Sequence, residues 1–537
     1  MASAPFNNPP ASILYATISS RMRRYGMAFA AGMLCLLVVS DAGGGQSGTS
    51  QPCHPCQVEA PRIELETSDR SLSAAFDWAR RQALAYAFDR GDPVGPWYEA
   101  ALPGREAFCM RDVSHQSLGA HFLGLDRHTR NMLRAFASNI AESRDWCSFW
   151  EINRYGLPAL VDYRNDTEFW YNLPANFDVL DACYRMYLWT GYRAYLDDHE
   201  FLNFYRRTVS DYVNRWDLSV ERIMERQRIM NVREKSGKGS RFAKNRGIPG
   251  YDEQERGFVA GVDLLAVEYA GYTAYARIEQ WRGEEEEARG FLNRAAQVQK
   301  LLNTVWWHSS VDGFYSWLSP DHKLAGANFD PSVLYYGAVE NGIKSNAVVN
   351  GIARRITNKT AIGIEEQSHL PEILYRYGQD ELAYQQVLDL ASESKSRREY
   401  PEVSYSLIGA VVTGLMGIEL ATSEPENAQT QDLYLDTTLT TIPRLSAATA
   451  WAQIQHVPVR SNDISVRHDG RRKTTLANLS GPSLMWRACF PGRFAALLVN
   501  GTSIRAESVT PTATGEPLAC ATVAIGAGGS KTVEVSP

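Results

Sequence analysis

Within REAFCMRDVSHQ the chain places Arg111, Asp112, His115 and Gln116 together where an apolar helical stretch begins. Charged and amide groups are costly at a buried place unless each finds a partner. Either these four satisfy one another, or they are held for a polar group from outside. Similar loops recur further on. DTEFWYNLPANFD carries Trp170, Tyr171, Asn176 and Asp178, and NRGIPGYDEQERG carries Asp252, Glu253 and Glu255. SRREYPEVSYSL carries Glu399 and Glu402, and GIEEQSHLPE adds Glu365, Glu366, Gln367 and His369. Carboxyl groups beside aromatic rings suit the cleavage of a glycosidic bond. One carboxylic acid protonates the leaving oxygen while a second carboxylate activates water or attacks directly. Flat aromatic faces receive the C–H faces of a sugar ring. Inversion at the sugar carbon requires the two carboxyl groups to stand about 6.5–9.5 Å apart, with a water between them.

Each residue alone also has a plainer reading. Asp178 suits the cap of a helix, and Glu402, just after Pro401, sits where an acid favours a helix N-terminus. The run EEEEAR at 284–289 reads as a solvated face. The recurrence of acidic, aromatic-flanked loops before apolar helices is what favours a shared site.

The elements that would bring these loops together are helical. From SAAFDWARRQALAYAF to VSYSLIGAVVTGLMGIEL, roughly a dozen segments show a helical period. Some, such as GFVAGVDLLAVEYAGY, are apolar nearly all round, whereas EEEEARGFLNRAAQVQKLL has a charged face. A helix apolar on every side must be covered on every side, and a striped one lies outside. That alternation predicts a closed double ring of inner and outer helices, because no sequence period of an open solenoid is present. Loops at one end of the inner ring would converge on a central pocket. Beyond the polar linker TSEPENAQTQDL the segments become short, β-branched and broken by Gly, Pro and Asn, which predicts a small antiparallel β-domain over 430–537.

The whole chain sets bounds on function. Its 537 residues are 44% hydrophobic and 22% charged, an ordinary globular composition. A net charge of −6 argues against nucleic acid as a partner. RMRRYGMAFAAGMLCLLVVSDAGGG has a basic start, a short apolar run and small residues, so residues 1–42 read as a signal peptide cut near Ala42, with 43–62 a linker. This predicts export without stable membrane insertion. Removal of Cys35 with that leader would leave an odd number of the 8 cysteines, and CHPC at 53–56 suits a local disulfide better than a metal. No calcium loop, zinc motif, P-loop or dinucleotide fingerprint is present, so no metal or cofactor is implied.

On these loops the chain resembles the six-hairpin (α/α)6 glycosidases, a superfamily that includes glucoamylase, trehalase, and bacterial glucuronidases and rhamnosidases. The resemblance covers about 65–421 and implies an (α/α)6 toroid as catalytic domain over 63–421, with the trailing β-sandwich of rhamnosidase-like members behind it. RDVSHQ looks like the Arg-Asp loop that holds hydroxyls of the terminal sugar, which implies that role for Arg111 and Asp112. The general acid lies on the loop containing GYDEQE, implying Glu253 with Asp252 as rival. The general base precedes the last inner helix, implying Glu402 with Glu399 as rival. Substrate contacts are expected from His115, Gln116, Trp170, Tyr171, Asn176, Asp178, Glu366 and His369.

The expected function is therefore an exported, exo-acting, inverting glycoside hydrolase working on an oligosaccharide or polysaccharide. Arg105, Arg111, Arg397 and Arg398 crowd the loops and suit a uronic acid such as glucuronate; they equally suit neutralisation of the neighbouring acids. Two other readings stay open. A polysaccharide lyase would use His115 or His369 with Tyr155, Tyr171 or Tyr251, and a non-catalytic carbohydrate-binding protein would only hydrogen-bond the sugar. The sequence does not fix the oligomeric state.

Overall fold

The computed structural model describes residues 62–227, 246–252, 257–327, 329–360, 362–422, 437–511 and 513–536. The proposed leader, the linker as far as residue 61, Cys35, Cys53 and Cys56, and Glu253 and Glu255 lie outside the described residues.

Helices dominate as far as residue 415. In chain order they include α1 (Arg70–Ala85), α2 (Met110–Phe122), α3 (Asp126–Ser138), α4 (Ala175–Thr190), α5 (His199–Arg207) and α6 (Val262–Arg282). They continue with α7 (Glu285–Thr304), α8 (Ser332–Tyr335), α9 (Ile343–Thr357), α10 (Ile364–Arg376), α11 (Asp380–Ala391) and α12 (Pro401–Gly409), which runs on as a π-helical turn to Leu415. Local sequence explains several boundaries. The Asp69 carboxylate caps α1 by accepting from the backbone N–H of Ser71 at 2.9 Å and of Leu72 at 3.2 Å. Pro401 fits the first turn of α12, where no backbone donor is needed.

Six of the helices contact one another in a closed cycle. α2 contacts α4, α4 contacts α6, α6 contacts α8, α8 contacts α10, α10 contacts α12, and α12 contacts α2. α3, α7 and α11 lie against this set from outside, α5 packs on α3, and α1 packs on α11 and α12. Two glycines allow close approach. A Cβ on Gly119 of α2 would stand 2.0 Å from the Tyr405 carbonyl oxygen of α12, and one on Gly271 of α6 would stand 2.6 Å from the ring of Phe177 in α4.

The β-strands that bear on the architecture include β1 (Glu64–Thr67), β2 (Ala107–Cys109), β3 (Glu151–Asn153), β4 (Ile418–Thr422), β5 (Thr437–Thr441), β6 (Trp451–Val459) and β7 (Asn462–Asp469). They continue with β8 (Lys473–Ser480), β9 (Leu484–Pro491), β10 (Ala496–Val499), β11 (Thr502–Arg505), β12 (Glu507–Val509), β13 (Leu518–Ile525) and β14 (Ser530–Val535). β2 and β3 form a short antiparallel pair beside the start of α2. The others make two sheets, ordered β1-β6-β7-β8-β14-β10-β11 and β4-β5-β9-β13-β12.

Several details depart from the sequence expectation. The C-terminal sheets are not wholly antiparallel, because β5 and β9 pair in parallel. Strands β1 and β4, inside the span read as helical, join these sheets. The segment expected to be helical to residue 420 turns to strand at Ile418, because its alternating Ile418 and Leu420 fit a pleated edge as well as a helix face. The helix expected from 258 starts at Val262, since Ala260–Gly261 pairs with Trp317–Leu318 instead.

The sheets meet the helices at one end. His121 Nε2 of α2 lies 3.0 Å from the Pro458 carbonyl, and the Arg460 N–H donates to the Trp189 carbonyl of α4 at 2.6 Å. These contacts are at the C-terminal ends of α2 and α4. Their N-terminal ends point the other way.

Candidate active site

A cavity of about 340 Å³ opens among the N-terminal ends of α2, α6, α10 and α12 and the short helix α8. Helix N-termini present unpaired N–H groups and a positive dipole end, so carboxylates are favoured there. α2 supplies Arg111 and His115, α6 supplies Asp263, α10 supplies Glu365, Glu366 and His369, and α12 supplies Glu402. Asp252, Tyr251, Trp317, Asp330, Tyr335 and Tyr336 complete much of the wall.

Glu402 is the best-anchored acid. Its Oε1 lies 2.6 Å from His369 Nε2 and 3.3 Å from His115 Nδ1, while the buried Oε2 has no partner among the described residues. Burial pushes its carboxyl up, but the two histidine contacts and the charges of His369 and Arg111 outweigh that and hold it well below the usual carboxylate range. His115 bridges to a second acid: its Nε2 is 3.0 Å from the Tyr336 hydroxyl and 3.5 Å from Asp178 Oδ1. Asp178 accepts from the hydroxyls of Tyr336 and Tyr251. Burial lowers the affinity of His115 for a proton, but the flanking Asp178 and Glu402 reverse this and push its pKa up to about 9.

Arg111 holds the other side. Its Nη2 donates to Glu365 Oε2 at 2.8 Å and Asp112 Oδ1 at 3.2 Å, and its guanidinium sits 5.3 Å from the centre of the Tyr251 ring. Asp112 is buried behind it, and burial, partly offset by Arg111, pushes its pKa up to about 7. Asp263 behaves alike on the cavity wall: burial and the neighbouring Asp330 charge outweigh the backbone N–H groups of Tyr251 and Leu264 and push it up to about 7.

The structure thus brings together Arg111, His115, Asp252, Glu366, His369 and Glu402 as cavity lining, with Asp112 and Asp178 in contact with them. Glu366 is partly engaged, with Arg355 Nη1 at 2.6 Å. Other expected residues fall elsewhere. Glu399 is exposed and outside the lining, and its carbonyl accepts from the Tyr86 hydroxyl. Gln116 is fully buried, and neither side-chain atom has a partner among the described residues. Tyr171 and Asn176 are buried and serve each other, Asn176 also donating to the Trp146 carbonyl at 3.1 Å. The Trp170 indole N–H donates to Asn172 at 2.7 Å. Trp170, Tyr171, Asn176 and Gln116 are all absent from the lining.

Of the four arginines that suited a uronic acid, only Arg111 lines the cavity. Arg105 is paired with Glu151 at 2.9 Å and Asp162 at 3.0 Å, and Arg398 donates to the Ala391 carbonyl at 2.9 Å. Sequence reasoning missed Asp263, Asp330, Trp317 and Tyr336. Asp263 was the discoverable one: it is the lone carboxylate in the first turn of a largely apolar helix. Tyr336 had no such signal.

With the cavity in view, the fold can be placed. It is shared with solved structures of glycosidases. An α-L-rhamnosidase from Dictyoglumus thermophilum matches with a TM-score of 0.56 at 12% identity, over 89% of this chain and 51% of that one. A sialidase matches with a TM-score of 0.50 at 10% identity, over 76% of this chain and 38% of that one. At such identities the likeness is one of fold, and this chain spans about half or less of the length of those two. No protein-family model matches the sequence, and a search of curated proteins found no match.

Proposed function

We propose that the protein is an exported glycoside hydrolase with an (α/α)6 toroid as catalytic domain, which removes a terminal sugar by acid/base catalysis with inversion. The cycle of contacts from α2 through α4, α6, α8, α10 and α12 back to α2 supports the toroid. The observation that carries the reading is Glu402, held ionised at the cavity wall by His115 and His369. An ionised carboxylate there suits a general base that activates water. The acid is assigned to the segment 252–263. Glu253 is implied by the resemblance, and Asp252 and Asp263 both line the cavity. Asp263, with its pKa near 7, fits the pattern in which two carboxyl groups are driven apart into acid and base.

A cavity at the small end of ligand pockets, which span about 300–1,000 Å³, suits one terminal residue rather than a length of chain. The substrate is a neutral sugar. Asp252, Asp263, Asp330, Glu365, Glu366 and Glu402 line the cavity against Arg111, His115 and His369, and Arg111 already serves two carboxylates. A uronate would meet more repulsion than attraction. Export is supported by the leader-like N-terminus and by the disulfide Cys489–Cys520, a bond that persists in oxidising compartments. No helix among the described residues is long and apolar enough to cross a membrane.

The test is release of sugar from aryl glycosides, including α-L-rhamnosides, neutral hexosides and glucuronides. Glu402→Gln should lower kcat by about 10²–10⁴-fold with folding intact. Full activity in that variant would remove Glu402 as base. Asn or Gln at 252, 253 and 263 identifies the acid, because its loss spares substrates with a good leaving group and cripples those with a poor one. A second reading, elimination beside a uronate carboxylate, has one observation in its favour, the His115–Tyr336 contact at 3.0 Å. It predicts a product that absorbs in the ultraviolet. A protein that only binds sugar would keep its affinity in Glu402→Gln and turn nothing over.

A further inference from the structure

His115, His369 and Glu402 form a compact cluster of metal-ligating side chains on the cavity wall. Both ring nitrogens of His115 face carboxylate oxygens, Nδ1 toward Glu402 at 3.3 Å and Nε2 toward Asp178 at 3.5 Å. A cation bound at Nδ1 would replace the proton on that nitrogen and meet the Glu402 carboxylate in its stead. His369 Nε2 approaches the same Glu402 oxygen, and the second oxygen, Oε2, is buried without a partner among the described residues. The three donor atoms all lie within 4.8 Å of one another. An ion with bonds of about 2.0–2.1 Å in tetrahedral geometry needs donors roughly 3.4 Å apart. The His115–Glu402 pair already has that spacing, and the His369–Glu402 pair must open by less than an ångström.

We propose that His115 Nδ1, His369 Nε2 and the Glu402 carboxylate bind one divalent transition-metal ion, zinc being the best matched, with its fourth position open to the cavity. Two imidazoles and one carboxylate are the donor set of open, three-ligand zinc sites. The outer shell is present as well. Asp178 and Tyr336 face the Nε2 side of His115, which fixes its tautomer with the Nδ1 lone pair toward the ion and raises its basicity. The acidic lining draws cations inward. Sequence inspection found no metal motif because the ligands are scattered, with Glu402 lying 287 residues from His115 and 33 from His369. The ion takes the carboxylate assigned above as general base, so loading it inhibits hydrolysis. That consequence rests on the hydrolase reading, whereas the binding does not.

The full chain is dialysed against Zn²⁺ and its metal content measured, and against Co²⁺ with the visible absorption of a four-coordinate ion as readout. One ion per chain is expected. His115→Ala and His369→Ala should each abolish it with unchanged circular dichroism, and His199→Ala, at an exposed histidine, should retain it. Asp178→Asn should weaken binding about 10–100-fold, as loss of an outer-shell partner does. No bound ion, or an ion that persists in the His115→Ala/His369→Ala double variant, overturns the site. A protein that binds one ion at these residues yet hydrolyses at full rate upholds the site and removes Glu402 as base.

Discussion

Asp263 and Glu402 differ in environment more than in kind. One is pushed up by burial and a neighbouring acid; the other is held down by two histidines. A reaction that needs the first protonated and the second ionised keeps its base over the whole working range. It loses its acid form as pH rises through about 7. We therefore expect kcat to fall above about pH 7, and Asp263→Asn to remove or displace that limb; a pH–rate profile of both proteins checks it. Removing His369 strips one of the groups that depress Glu402, so His369→Ala should raise the pH at which the acid limb appears. At this scale the sequence was informative about charged residues beside apolar helices, and Arg111, Asp112, His115, His369 and Glu402 were all legible from type and position. Tyr336 was not. A tyrosine in DPSVLYYGAVE looks like core, and only its placement against Asp178 and His115 gives it a role. Gln116, Tyr171 and Asn176 lie off the cavity: Tyr171 and Asn176 bond to each other, and Gln116 meets no partner among the described residues.

Helices set how closely these residues meet. The α2–α12 contact depends on Gly119, and that contact brings His115 to Glu402. Gly119→Ala should cost about 1–3 kcal/mol through overpacking, seen as a lower Tm, and should lower kcat by separating the two residues. Gly271→Ala, against Phe177, should lower Tm while sparing the cavity more, since neither residue lines it. Helical periodicity found nearly all of these segments. It did not foresee that α8 would be a single turn, or that the stretch after Asp198 would break into α5, a π-helical turn at Thr208–Tyr212 and short pieces. Such breaks are decided by packing against neighbours, which propensity does not contain.

In the whole molecule the β-sheets brace the helices at the end away from the cavity. The Arg460 guanidinium sits 5.4 Å from the Tyr187 ring and 5.9 Å from the Trp281 ring, and Cys489–Cys520 ties two adjacent strands. Reducing that disulfide, or Cys489→Ser, should destabilise the sheets by about 2–4 kcal/mol, with sugar release at low temperature little changed; a melting curve with and without reductant tests this. By itself the sequence determined the helical first part, the β-rich end and the acidic, aromatic character of the loops, because periodicity, turn residues and charge are local properties written in neighbouring positions. Only the tertiary structure decided which loops face one cavity, that β1 and β4 leave the helical part for the sheets, and that His115, His369 and Glu402 meet at a single carboxylate oxygen. Those are contacts between residues far apart in the chain, and no local pattern encodes the packing that makes them.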